Sequence, residues 1–234
     1  MRMARPTLIL CLLLACAGQA AASPDATWPG VGPWGARRAI LAERSVAFPV
    51  PPGYCALDPS DPADRDRLAR LGPLGARGEV LFALLPCGRF AAWDGSEPPG
   101  DAPLLMYSAQ RTSTGAVLPQ VSTREDFLDR IDRNAAARGP APEETHAAQG
   151  VTEVVTRVRY AGRDANAAYL TGDFGPAQPG APPVVCSATG TTLARRMWVW
   201  AVLVASCQPT PDPAARLPVV RDLAARVVML NPGD

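Results

Sequence analysis

Few residues in this chain have types and spacings that could do chemistry. The single histidine, His146, follows Glu143 and Glu144 in the run Gly-Pro-Ala-Pro-Glu-Glu-Thr-His. A Glu-x-x-His spacing puts two ligands on one helix face and can bind a metal. The prolines instead predict a loop, and no second histidine completes a site, so no metal site is assigned. A Ser-His-Asp or Cys-His triad would have to use His146, and no Gly-x-Ser-x-Gly elbow accompanies it. Asp94, Glu97 and Asp101 share a Pro/Gly loop. Two carboxyls facing each other across a cleft would suit glycoside hydrolysis, but three acids in one loop read more simply as solvated. All 23 basic residues are arginine. Without lysine the chain can form neither a Schiff base nor a Walker-type phosphate loop. No catalytic residue and no cofactor is predicted, and the chain is read as not an enzyme.

The remaining reactive residues are cysteines. Cys11 and Cys16 lie in a leader: Arg2 and Arg5, an apolar core from Leu8 to Ala15, then Ala20-Ala21-Ala22. That order is a secretory signal, too short to span a bilayer, so residues 1–22 are assigned to a signal peptide and no transmembrane segment is expected after its removal. Leu13-Leu14-Ala15-Cys16 also resembles a bacterial lipobox, which would make Cys16 a lipidation site and tether the domain to a membrane. Export to the periplasm or the extracellular space permits disulfides. The mature chain keeps Cys55, Cys87, Cys186 and Cys207, which allow three pairings. Proximity favours Cys55 with Cys87 and Cys186 with Cys207. No Cys-x-x-Cys pair points to zinc or to a thioredoxin-like site.

Cleavage after Ala22 leaves 212 of the 234 residues, enough for one domain with a sizeable core. Loss of Arg2 and Arg5 leaves 21 arginines against 22 acids, a net charge of −1. With no patch of one sign, nucleic acid is not an expected partner.

The elements that must position these residues can be read along the chain. Residues 23–44 carry so many prolines and glycines that an extended arm is expected, with Trp28 and Trp34 free to dock on the body or a partner. Residues 45–234 are read as one α+β domain. Ser45 to Tyr54 reads as an edge strand because of Pro49, Pro51 and Pro52. Asp58, Asp61, Asp64 and Asp66 lack the oxygen pattern of a calcium loop and instead start a helix, with Asp61 capping and Pro62 first, running to about Leu71. Glu79–Cys87 and Leu104–Arg111 read as strands. Ser122-Thr-Arg-Glu125 reads as a capping box that opens a helix to Arg138. Its stripe is Phe127, Leu128, Ile131 and Ala135, and Asp126–Arg130 and Asp129–Arg133 are i,i+4 pairs.

Residues 139–150 read as loop. Val151–Tyr160 and Ala165–Gly172 form a hairpin turning at 161–164. Pro183–Leu193 and Met197–Cys207 form a second hairpin around residues 194–196. Its last strand is apolar on both faces and needs cover on both. A closing helix, Pro218–Leu230, with stripe Val220, Leu223, Val227 and Leu230, supplies one cover. The other falls to the helices near 62–71 and 122–138, or to a partner subunit.

The stretch Phe48-Pro-Val-Pro-Pro-Gly-Tyr-Cys-Ala-Leu-Asp58, with Gly190-Thr-Thr-Leu and Val227-Val-Met-Leu-Asn231, resembles a family of exported bacterial proteins that carries no assigned activity. In element order the chain is also similar to PsbP-like α/β sandwiches, which implies a mainly antiparallel sheet flanked by helices, here with two disulfides. Fold analogy supplies no function. The composition and export favour a non-catalytic envelope module that binds a protein or small ligand, with Trp28, Trp34 and Trp93 as aromatic anchors. In this reading deletion of residues 23–38 abolishes binding without unfolding the domain. The alternatives are a carboxylate-dependent hydrolase built on Asp94, Glu97 and Asp101, and a structural oligomeric envelope component.

Overall fold

The computed structural model describes residues 33–70, 78–90, 93, 104–110, 122–138, 144–148, 151–176, 184–193, 197–204 and 217–232. The element order is β1 (Gly35–Leu41), β2 (Arg44–Val50), β3 (Tyr54–Ala56), α1 (Pro62–Arg70), β4 (Gly78–Pro86), α2 (Cys87–Phe90), β5 (Leu104–Gln110), α3 (Arg124–Arg138), β6 (Glu144–Ala148), β7 (Val151–Arg163), β8 (Ala168–Pro176), β9 (Val184–Leu193), β10 (Met197–Val204) and α4 (Leu217–Leu230). The fold is α+β. A two-stranded hairpin, β1–β2, accompanies an eight-stranded sheet in the order β3-β4-β5-β10-β9-β8-β7-β6. Every neighbouring pair in that sheet is antiparallel. Among the described residues no helix is long and apolar enough to cross a membrane.

The chain builds one half of the sheet, β3 to β5, then passes through α3 to the far edge. It returns as a meander, β6 to β10, until β10 pairs with β5. β5 is therefore central, and Leu104 through Ala109 are all buried. Side chains alternate across a strand. Leu105, Tyr107 and Ala109 join a core with Val220, Leu223, Ala224 and Val227 of α4 and with Leu41, Val46 and Phe48 of the hairpin. On β8, Tyr169 belongs to that same core, whereas its neighbour Ala168 packs with Phe127 and Leu128 of α3. α4 and the hairpin thus cover one face, and α3 covers the other. β8 is thus covered on both faces, while the cover expected for both faces of Met197–Cys207 concerns side chains outside the described residues. Leu230 departs from the predicted stripe of α4: it is 38% exposed.

Local chemistry explains the helix starts. Asp61 caps α1, its Oδ1 accepting from Ala63 N at 2.8 Å, and Pro62 takes the first helical position. Asp64 accepts from Asp58 N at 2.9 Å and pairs with Arg67, also at 2.9 Å. The capping box is displaced by one residue from the Ser122–Glu125 frame. Thr123 is the cap: its Oγ1 accepts from Asp126 N at 3.2 Å and donates to the Asp126 carboxylate at 2.8 Å. The partner of Asp129 on the wet side is Arg163, across on β7.

Four further expectations are corrected. The extended arm over 23–44 is, from Gly35 onward, a β-hairpin. The strand expected over Ser45–Tyr54 breaks at Pro51-Pro52-Gly53, where Tyr54 N donates to Pro51 O at 3.1 Å and Gly53 adopts φ +79°, so Tyr54 enters the other sheet. Residues 144–148 of the expected 139–150 loop form edge strand β6. The turn expected at 161–164 lies three residues later: β7 runs to Arg163 through a bulge at Gly162 (φ +97°), and Asp164 N donates to Ala167 O at 3.0 Å to close it. The β9–β10 hairpin has the expected register, with Leu193 opposite Met197 and Cys186 opposite Val204.

Cys55 and Cys87 form a disulfide joining β3 to the start of α2. Cross-linking a loop with a sequence separation of 32 residues stabilises by about 4 kcal/mol on the chain-entropy argument. Pairing of Cys186 with Cys207 lies outside the described residues.

At the end of α4, Asn231 acts at a distance. Its Oδ1 accepts from Ala47 N at 2.8 Å, and its Nδ2 donates to Ala47 O and to Val227 O, each at 2.7 Å. One side-chain amide closes the helix and satisfies both backbone groups of a strand residue. Asn231→Ala is expected to lower unfolding free energy by about 2–3 kcal/mol, three bonds at about 1 kcal/mol each, measured by urea denaturation. The two-residue turn of the first hairpin holds Ala42 and Glu43 at φ +47° and +65°. Left-handed backbone costs a non-glycine residue about 1–2 kcal/mol. Replacing the pair with Asn-Gly is expected to raise the same free energy by about 1 kcal/mol.

Candidate functional site

The hairpin β1–β2 carries the most distinctive surface among the described residues. Leu41 lies opposite Arg44 across the two-residue turn, and the pairing continues to Gly35 opposite Val50. Leu41, Val46 and Phe48 face the core, with Ala39 packed beside them. Phe48 packs in tilted contact with Tyr107 and Phe82, with centroids 5.0 and 5.6 Å apart. Ala36, Arg38 and Ile40 are exposed on the other face; Ile40 is 69% exposed. The Arg38 guanidinium donates to Ser45 Oγ at 3.2 Å.

Three polar contacts fasten this hairpin to the body. Asn231 grips Ala47, as above. The Tyr107 hydroxyl donates to Pro49 O at 2.9 Å. Arg226 lies 3.9 Å over the Trp34 ring and donates through Nε to both carboxylate oxygens of Asp222 at 3.1 Å. Asp222 is 2% exposed, so its charge is held by a partner rather than by water. Burial, with the Asp222 charge second, pushes the Tyr107 hydroxyl well above its ordinary range and keeps it a donor.

The expected anchors fare differently. Trp34 docks on its own domain beneath Arg226. Trp93 is only 6% exposed and presents no anchor at the surface. Trp28 and Cys16 lie outside the described residues, as do Asp94, Glu97 and Asp101. Because Trp34 and β1 contribute to the body, deletion of 23–38 also removes part of that body, from residue 34 onward. His146 is on β6, opposite Val154 and in a strand rather than a loop.

Other polar groups are engaged structurally. Arg163 of β7 pairs with Asp129 and reaches Asp132 at 3.8 Å. The Tyr160 hydroxyl donates to Asp132 at 2.9 Å. Asp164 accepts from the backbone of Asn166 and Ala167 and from the Tyr169 hydroxyl at 2.6 Å. Burial first, then the Asp164 bond, raises the Tyr169 hydroxyl, while the Arg221 guanidinium 5.2 Å over its ring opposes that shift. Asp58 accepts from the Ser60 hydroxyl at 2.7 Å and the Ser60 amide at 2.9 Å. These bonds, with the Arg37 charge, hold its carboxyl below the usual range. Among the described residues no group of three or more His, Cys, Asp or Glu side chains is placed to hold a metal ion.

Comparison with family models, curated proteins and solved structures finds no match. The site must therefore be read from its own residues.

Sequence reasoning missed the open hairpin and its fastening. The available signal was the alternation of Ala39 and Leu41 with Val46 and Phe48 around a two-residue gap, which the surrounding prolines and glycines masked.

Burial, then the Asp132 bond, pushes the Tyr160 hydroxyl up to about 12 from an ordinary value of 10.0. A raised folded-state value favours the neutral phenol, so its contribution to stability is complete below pH 10 and lost as pH rises towards about 12. An alkaline ultraviolet titration is expected to show a phenolate step near pH 12 that Tyr160→Phe removes and Asp132→Asn moves downward.

Proposed function

We propose that this protein is an exported, non-catalytic binding module of the cell envelope, whose partner is a protein or small ligand. The observation that supports this reading is the β1–β2 hairpin. Its inner face, Trp34 and Ala47 are fixed to the body by core packing, Arg226 and Asn231, while β1 has no strand beside it on its outer side among the described residues. A rigidly held open strand is a binding element that loses little freedom when occupied. Export follows from the leader over residues 1–22, with acylation at Cys16 as the membrane-tethered form. A second disulfide, Cys186–Cys207, and a PsbP-like arrangement belong to the same reading.

Native and then denaturing mass spectrometry of the protein recovered gently from its own envelope tests this. The expected result is a complex that loses mass on denaturation and leaves a chain starting at Ser23, four hydrogens lighter than its reduced mass. A bare chain in every gentle recovery overturns the binding reading.

A further inference from the structure

We propose that the outer edge of β1 takes up an extended peptide strand that carries an acidic side chain opposite Arg38 and an apolar one, two residues away, opposite Ile40. This inference rests on the binding reading above and assigns it a partner chemistry.

The register identifies the free groups. In a hairpin with a two-residue turn, the flanking pair exchanges both backbone bonds, and bonded and non-bonded pairs then alternate. Leu41–Arg44, Ala39–Val46, Arg37–Phe48 and Gly35–Val50 are thus the bonded pairs. Two independent features agree. Pro49, which has no N–H, lies opposite Ala36 in a non-bonded pair. Ala47, opposite Arg38, turns its N–H and C=O away from β1 and gives both to Asn231. By the same alternation Ala36, Arg38 and Ile40 point their N–H and C=O groups outward from β1. Among the described residues no strand pairs with that edge. Asn231 blocks the equivalent position on β2, so among the described residues the hairpin has one guarded edge and one open edge.

Charge selects the occupant. On the face of the hairpin that carries Arg38 and Ile40, Arg38 is the charged residue; Arg37 and Arg44 alternate to the other face, where the Arg37 charge acts on Asp58. Arg38 and Ile40 share the solvent face two residues apart, so a strand laid alongside presents its own alternate residues to them. A carboxylate opposite Arg38 gains a charge-assisted bond, and an apolar side chain covers Ile40. A second copy of this chain is disfavoured, because antiparallel pairing centred on Arg38 would set two guanidinium groups opposite each other. At the two edges of the large sheet, β3 offers three residues for pairing and β6 five, against seven on β1.

The test uses the full mature chain and a synthetic octapeptide alternating threonine with valine and glutamate; the control replaces glutamate with lysine. Nitrogen-15 spectra and amide exchange are expected to show binding of the acidic peptide alone, with new protection at Ala36, Arg38 and Ile40. Ile40→Pro removes an outward N–H without touching the pairs to β2, and Arg38→Glu reverses the charge. Each should weaken binding about tenfold, through loss of a charge-assisted bond in Arg38→Glu and of a backbone bond in Ile40→Pro, whereas Ile40→Val should not. An unchanged melting transition in Arg38→Glu keeps the test valid if Ile40→Pro unfolds. No acidic-peptide binding at millimolar concentration, equal binding of the lysine peptide, protection confined to other strands, or dimerisation through β1 in sedimentation overturns the proposal. If the envelope partner seen in native mass spectrometry is retained by both variants, the edge assignment fails while the binding reading stands. If no partner is seen at all, the binding reading itself fails.

Discussion

Burial of both faces of the central strands is the constraint on which the rest of this structure depends. From Leu104 to Ala109, β5 presents an uninterrupted buried run, with alternate residues directed to opposite sides. At about 25 cal/mol per Å² of apolar surface, either face left wet would forfeit several kcal/mol. The sheet must therefore be a middle layer. α4 and the β1–β2 hairpin meet Tyr107 and Tyr169 on one side, and α3 meets Ala168 on the other. The hairpin is part of this cover, which is why Leu41, Val46 and Phe48 are wholly buried although their strands belong to a separate small sheet.

Where polar groups enter these layers, the chain meets them with short, local solutions. Asp222 is held by Arg226 one helical turn away, and Asp64 by Arg67. Asp164 turns the backbone and receives Tyr169. An arginine-only chain suits such sites, since a guanidinium can donate to a carboxylate while its flat face lies on an aromatic ring, as Arg226 does between Asp222 and Trp34. The Ser122 and Thr192 hydroxyls are exceptions: both are buried with no hydrogen-bond partner among the described residues.

The elements legible in the sequence were those specified by local chemistry. Asp61-Pro62 starts a helix because a side-chain oxygen and a missing N–H both suit that position, and the β9–β10 hairpin follows from two apolar runs around a three-residue gap. The capping frame was ambiguous, since Ser122-x-x-Glu125 overlaps Thr123-x-x-Asp126 and only packing selects the second. β1 was not legible because Ala42-Glu43 lacks the Asn-Gly signal of its turn and is held in a left-handed conformation by burial of the flanking strands. Nor could a single sequence place Trp34 beneath Arg226, or Asn231 against Ala47 across a separation of 184 residues. The candidate surface is built from those long-range contacts, so it emerged only with the fold.

The position of β5 bears on how this chain reaches its native state. Its neighbour β4 is the strand before it, separated by α2, but its other neighbour, β10, is made only after α3 and four further strands. Loop-closure entropy makes such distant pairings slow. During that interval the apolar edge of β5 is a row of unpaired backbone groups, open to a neighbouring chain in the same condition. The Cys55–Cys87 bond lies entirely on the early side of this wait, linking β3 to the start of α2, just after β4. Oxidation can thus fasten the first half of the sheet while the second half is still to arrive.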